Sequence, residues 1–238
     1  MGLFIISIIV SIVPCIIFYK WLKSIFNEDK YKELCKKSLL KGIFAVLPII
    51  LTSATFFIIG RIAHYFYPNE LVYQMYYKIV VLAFSEELIK FILFKRLIKK
   101  NDYKYSIFNL TIIMTIIGIG FELIESVTFA IGSNPITMLI RGITLGHMGY
   151  GFIMGYFYAK MLKTKKKRYG LLSFGIPWFL HGLYDFSLSD EFLALNDNLV
   201  IVAFLLTLIS IICVILIIIF VKKRKNDKEY IEEIKSNE

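Results

Sequence analysis

From Val200 to Phe220 the chain reads VIVAFLLTLISIICVILIIIF, 21 residues without a charge. Roughly 20 mostly apolar residues are what a helix needs to cross a bilayer. In hydrocarbon every backbone N–H and C=O must be paired within the segment, so such a run has to be helical. Comparable runs lie at about 2–19, 42–63, 71–94, 106–131, 135–161, 170–188 and 198–221. Of the 238 residues 58% are hydrophobic, against about 45–50% in soluble domains. The expected fold is all-α, a polytopic transmembrane helical bundle of about seven spans. It forms one domain over residues 1–221, followed by a charged cytoplasmic tail at 222–238.

A net charge of +10 raises nucleic acid as a partner, but the placement of the charges argues against it. The 28 Lys and Arg fall in four groups: 20–41, 95–104, 160–168 and the tail from Lys222, with Arg61, Lys78, Lys90 and Arg141 left inside spans. The alternate connections, HYFYPNE, GSN and SDEFLALND, contain neither Lys nor Arg. Basic residues at every second loop follow the positive-inside rule. The N-terminus is then outside and the C-terminus inside, which requires an odd number of spans. The basic groups imply anionic lipids on the inner face as partners and no nucleic acid.

The opening MGLFIISIIVSIVPCIIFYK has no basic stretch before its apolar run and no small-residue cleavage pattern, so it is expected to remain as the first span. Cys15, Cys35 and Cys213 are not placed for a disulfide or a cysteine metal site. Residues 24–41 read as a short amphipathic helix on the inner surface. Spans one and seven carry no chemistry.

The chemistry is concentrated in spans three to six, which hold Glu86, Glu87, Lys90, Glu122, Glu125, Arg141, His147, His181 and Asp185. A charge at the bilayer centre costs roughly 2.5–3.5 kcal/mol on insertion scales. Nine ionisable residues in one small protein point to a shared polar cavity, with structural ion pairing as the plainer reading. In FSEELIKF, Glu86 and Glu87 stand about 100° apart on a helix and cannot face the same way. Lys90 is within reach of either, so one carboxylate can be neutralised while the other turns to a cavity. Glu122 and Glu125 share a face. Gly142, Gly146, Gly151 and Gly155 let another helix approach span five. His147 and His181 fall near mid-membrane, and Glu125 comes out nearer the outer face. His64 reads as a packing residue.

Lys78, Lys90 and Arg141 stand against five carboxylates in these spans, a deficit of two positive charges. A divalent cation balances it, and so do two protons held on buried carboxyls. Carboxylate and imidazole donors suit zinc, and His181 and Asp185 have the four-residue spacing of paired ligands on one helix.

Four of these segments in order are similar to the motifs of one family. Glu86-Glu87-Leu88-Ile89-Lys90 resembles the EExxK motif of the PrsW intramembrane proteases. Phe121 to Glu125 resembles the second motif, and Arg141, His147 and Gly155 the third. His181-Gly182-Leu183-Tyr184-Asp185 resembles the closing HxxxD. The resemblance covers about half the chain and is shared more distantly with CAAX- and bacteriocin-processing membrane proteases. It implies hydrolysis of a peptide bond in a membrane-spanning or membrane-proximal protein, of anti-sigma type, in a bacterial plasma membrane. It carries over Glu86, Glu87, Glu125, His147, His181 and Asp185. Where the family often has Asn, this chain has Ser126, which cannot make both contacts of an amide.

The expected chemistry is water activated by Glu86 or Glu87, with Glu86 favoured and Glu87 paired to Lys90. Glu125, His147, His181 and Asp185 are the expected metal ligands, or orient water in a metal-free version. Lys90, Glu122, Arg141 and Ser126 are supporting residues, Glu122 pairing with Lys78 or Arg141. Two other classes stand beside this: a non-catalytic scaffold that binds partner helices, and a proton- or ion-coupled transporter. Transporters usually show internal repeats, and none is visible here.

Overall fold

A computed structural model describes residues 2–101, 105–131, 135–224 and 230–231. The fold is all-α. Its helices are α1 (Gly2–Ser24), α2 (Asp29–Phe44), α3 (Val46–Phe66), α4 (Glu70–Tyr76), α5 (Ser85–Lys100), α6 (Ile107–Ala130), α7 (Pro135–Thr144), α8 (Gly146–Thr164), α9 (Lys167–Ser187), α10 (Asp190–Leu193) and α11 (Val200–Arg224). A wide-turned π segment, Tyr77–Phe84, joins α4 to α5. Four helical stretches are long and apolar enough to cross a membrane: Phe4–Ser24, Asp29–Phe66, Ile107–Ala130 and Val200–Lys223.

The core is built on α6. From Ile107 to Glu122 every residue of this helix is buried. Lipid tails are as apolar as leucine, so helices in a membrane gain little from hydrophobicity alone and associate by close packing. Glycines supply the closeness. Gly42 of α2 lies against the α6 backbone at Ile117 and Gly120, and Gly151 and Gly155 of α8 lie against Met114 and Thr111 on another side. Gly142 packs on α1 at Val10, whereas Gly146 meets only the ring of Tyr150.

Three local features go beyond the sequence reading. The stretch 24–41 holds α2, whose apolar side packs along α6 with Leu34 and Cys35 in the main core. The run 135–161 is not one helix. It breaks at Leu145, whose φ of 43° and ψ of 54° are left-handed, and α8 starts afresh at Gly146. Finally, α11 reaches Arg224, and Tyr230–Ile231 pairs antiparallel with Tyr105–Ser106, so part of the tail is ordered against the bundle; the rest of the tail lies outside the described residues.

The π segment faces α9. Trp178 Nε1 donates to the Ile79 carbonyl at 2.8 Å, and Gly182 sits against Ile79. Wide turns of this kind are rare and occur mostly at functional sites. This one ends immediately before Ser85-Glu86-Glu87.

A side chain at position 42 would collide with the Ile117 carbonyl oxygen, whereas one at Gly175 meets nothing within 4 Å. Gly42→Leu is therefore expected to lower the apparent Tm in detergent by roughly 5–10 °C, the scale of an overpacked core. Gly175→Leu should leave it unchanged. Equal melting curves for the two variants would refute the close α2–α6 contact.

Candidate active site

Glu87 and Lys90, one turn apart on α5, lie at the centre of the site. Both are buried, and their charges meet at 2.6 Å. Taking such charges out of water is costly, and pairing offsets that cost, although Glu87 Oε2 itself has no hydrogen-bond partner among the described residues. The pair is also a hub. Glu87 Oε1 lies 3.0 Å from His181 Nδ1 on α9, and Lys90 Nζ lies 2.8 Å from His147 Nδ1 on α8.

The partners assign the protons, and they treat the two histidines oppositely. A carboxylate only accepts, so His181 donates to Glu87 from Nδ1, while its Nε2 faces Asp185 and Glu86. An ammonium only donates, so His147 Nδ1 accepts and the ring's proton is on Nε2, where it is donated to Glu125 Oε2 at 2.7 Å. Phe121 meets the His147 ring edge-on, and Tyr150 stacks on His181 at 5.2 Å.

Glu86, the neighbour of Glu87, points elsewhere. Its Oε2 is buried with no hydrogen-bond partner, at 3.8 Å from His147 Nε2 and 3.9 Å from His181 Nε2. Asp185 Oδ2 is 3.4 Å from His181 Nε2. Glu86 also lines a cavity of about 480 Å³ together with Glu125, Arg141, Tyr184 and Asp185, whose other walls are largely apolar.

Glu122 and Arg141 support this centre from behind. Arg141 donates to Glu125 Oε2 at 2.5 Å and to Glu122 Oε1 at 3.4 Å. Glu122 Oε2 accepts the backbone N–H of His147 at 3.0 Å. The first N–H groups of any helix lack partners within it. Here α8 begins inside the protein, and a carboxylate from α6 serves as its cap. This accounts for Glu122, whose partner is Arg141 and not Lys78.

The donor set fits a divalent cation. Glu86, His147 and His181 each bring one donor atom within 4.8 Å of the others. Ligands about 2.0–2.2 Å from a tetrahedral zinc stand roughly 3.4 Å apart, so small side-chain shifts would close the set. His181 turns Nε2 toward Glu86, with Glu87 orienting its far nitrogen as in carboxylate–histidine–zinc arrangements. His147 fits once the proton on Nε2 leaves, and Glu125 Oε2 faces that proton.

Two expected ligands are therefore placed differently. Glu125 does not complete the Glu86–His147–His181 group, because Arg141 and the His147 proton hold its oxygen; it falls instead in a second group with Glu122 and His147. Asp185 Oδ2 lies 3.4 Å from His181 Nε2, and the residue lines the cavity with Glu125 and Arg141. Ser126 is buried and its hydroxyl has no partner among the described residues, so it gives none of the support expected of it. His64 stays apart, 3.4 Å from Glu70 and against the Tyr73 ring. Sequence reasoning missed Tyr150, although it follows His147 by three residues and so shares its helix face.

The hub makes a stability prediction. Lys90→Met leaves Glu87 buried without its counter-charge and is expected to cost roughly 3–5 kcal/mol. The double variant Glu87→Gln/Lys90→Met removes both charges and should recover much of that loss in detergent melting curves. A single variant as stable as the wild type would contradict the pairing.

Comparison with known proteins agrees with this geometry. A protein-family model described as PrsW family intramembrane metalloprotease matches residues 32–221. A protease PrsW of Oceanobacillus iheyensis is 27% identical over 175 residues, 71% of this chain and 77% of the relative. One of Clostridioides difficile is 26% identical over 202 residues, 77% of this chain and 79% of the relative. One of Halalkalibacterium halodurans is 28% identical over 158 residues, covering 63% and 67%. No solved structure matches the chain. With the family match spanning most of its length and four helices able to cross a bilayer, this integral membrane protein of bacteria belongs to the PrsW family of intramembrane metalloproteases.

Proposed function

We propose that this endopeptidase cuts membrane-spanning proteins of anti-sigma type at the centre formed by Glu86, His147 and His181. One observation carries the reading: Glu86 Oε2 is buried, faces Nε2 of both histidines and has no hydrogen-bond partner among the described residues, and Glu86 lines a cavity of about 480 Å³. In this reading the chain crosses the plasma membrane seven times, with the N-terminus outside, α7 and α8 together making one interrupted crossing. Residues 1–221 form the catalytic domain, and the basic loops and tail meet anionic lipids on the inner face.

Glu86, His147 and His181 would hold a divalent metal, zinc by its taste for imidazole and carboxylate. Bound there, it would polarise the scissile carbonyl and acidify a water. Glu86 accepts the water's proton at its other carboxylate oxygen and returns it to the departing nitrogen, so the group ends each cycle as it began. Glu87 holds the His181 proton at Nδ1 throughout, which keeps the Nε2 lone pair turned to the reacting centre. Lys90 fixes His147 from the opposite side. Arg141 neutralises Glu125, and Glu122 anchors the start of α8 and so the position of His147. Asp185 stands beside His181 Nε2 at the cavity wall. Apolar walls exclude bulk water, which strengthens each of these contacts.

The direct test is trapping. Glu86→Gln keeps the shape of the site and removes its base, so a membrane protein that accumulates intact in cells carrying this variant, and crosslinks to it, is the substrate. With that protein in liposomes, Glu86→Gln and His181→Ala are each expected to lower the cleavage rate by roughly 10²–10⁴-fold without loss of folded protein. Wild-type rates in both variants would rule out this centre.

Metal removal gives a second expectation. Dialysis against a strong chelator should abolish cleavage, and stoichiometric zinc should restore it to the wild type but not to His181→Ala. Metal-free wild-type protein with full activity would exclude the metal.

A further inference from the structure

The cations of the site are not all used in the same way. Lys90 is bound to Glu87, and Arg141 to Glu122 and Glu125. Lys78 also lines the 480 Å³ cavity, yet among the described residues no carboxylate lies within 4 Å of it, and its recorded contact is the ring of Tyr77 at 5.8 Å. It belongs to the π segment, and Lys78, Leu82 and Glu86 line the cavity at successive four-residue steps. The rest of the cavity includes Val46, Ile49, Phe121, Ile124 and Phe129, which suit aliphatic side chains.

Lys78 is half-buried on this wall, and ionisable residues within spans mark the path of a ligand. Its place on the cavity wall that carries Glu86, and not on an outer face of the bundle, favours an anion on the substrate over one on a lipid. We propose that Lys78 is a specificity-determining residue that binds an acidic side chain of the substrate two to four residues from the scissile bond. The inference rests on the protease reading above. The spacing follows from the helix. Eight residues separate Lys78 from Glu86, about 12 Å at 1.5 Å per residue and less in the wide turns. An extended substrate covers that distance in about three to four residues at 3.3 Å each, and the flexible lysine shortens the minimum to two. In the seven-crossing topology the acidic residue lies on the outer side of the cut. Arg141 and Glu125 are already paired, so they neither replace Lys78 nor repel this group strongly.

The test uses the purified, metal-loaded full chain in neutral-lipid liposomes. The probes are synthetic single-span peptides in which each position in turn is Asp, Asn or Lys, with products read by mass spectrometry. The expected result is a preference for Asp over Asn of about tenfold or more at one position two to four residues from the cut, the scale of a hydrogen bond to a charged group. Lys78→Gln should erase that preference, and Lys78→Glu should turn it toward Lys. Cleavage with no acidic preference, or a preference unchanged in Lys78→Glu, overturns the assignment and leaves the protease reading intact. Dependence on added anionic lipid that vanishes in Lys78→Glu, with no peptide preference, also overturns it and gives the lysine to a headgroup. Failure of the wild type to cut any peptide, including the protein recovered by trapping, overturns both readings.

Discussion

The buried contact between Glu87 and Lys90 is the constraint on which the site depends. Either charge alone would be intolerable among the packed helices. Together they form a compact dipole with different hydrogen-bonding capacity at each end, one accepting and the other donating. Two chemically identical histidines are thereby held in opposite ways, His181 donating from Nδ1 to Glu87 and His147 accepting at Nδ1 from Lys90. The same pair frees Glu86. With Lys90 committed to its neighbour, Glu86 is left to face the cavity.

Around that hub the backbone is bent twice to bring four helices together. The π segment turns the residues before Glu86 toward α9, where Trp178 and Gly182 receive them. The left-handed Leu145 ends α7 and starts α8 beside the site, at a cost of roughly 1–2 kcal/mol for a residue with a β-carbon. A helix start buried inside the protein leaves donors to be satisfied, and Glu122, held in place by Arg141, accepts one of them. Local irregularity is concentrated where the chemistry is, as expected where packing elsewhere holds the strained residues in place. The regular α6, buried almost throughout, supplies that packing.

Much of this was legible in the sequence because charge in an apolar run is conspicuous. The 100° step between Glu86 and Glu87 dictated that they part, and the spacing to Lys90 offered the pairing. Glu122 and Glu125 on one face foretold a shared partner, which is Arg141. What stayed hidden depends on tertiary packing. Nothing in YKIVVLAF announces wide turns, and a leucine with positive φ leaves no signal, since the glycine beside it looks like the more permissive residue. The stretch 24–41 has an amphipathic pattern whose apolar side is satisfied by α6; Gly42, read as part of a span, was the local clue to that contact. The contacts of the expected metal ligands were hidden for a similar reason. Motif order put Glu125 among them, whereas only the folded structure reveals that Arg141 occupies its oxygen.

The account centres on a metal held by Glu86, His147 and His181, with Glu87 and Lys90 fixing the histidines from behind. X-ray absorption at the zinc edge of the purified, reconstituted protein tests this most directly. The account predicts an oxygen and nitrogen shell with the outer scattering of two imidazoles, reduced to one in His181→Ala. A shell containing sulfur, or one identical in the wild type and His181→Ala, would contradict it.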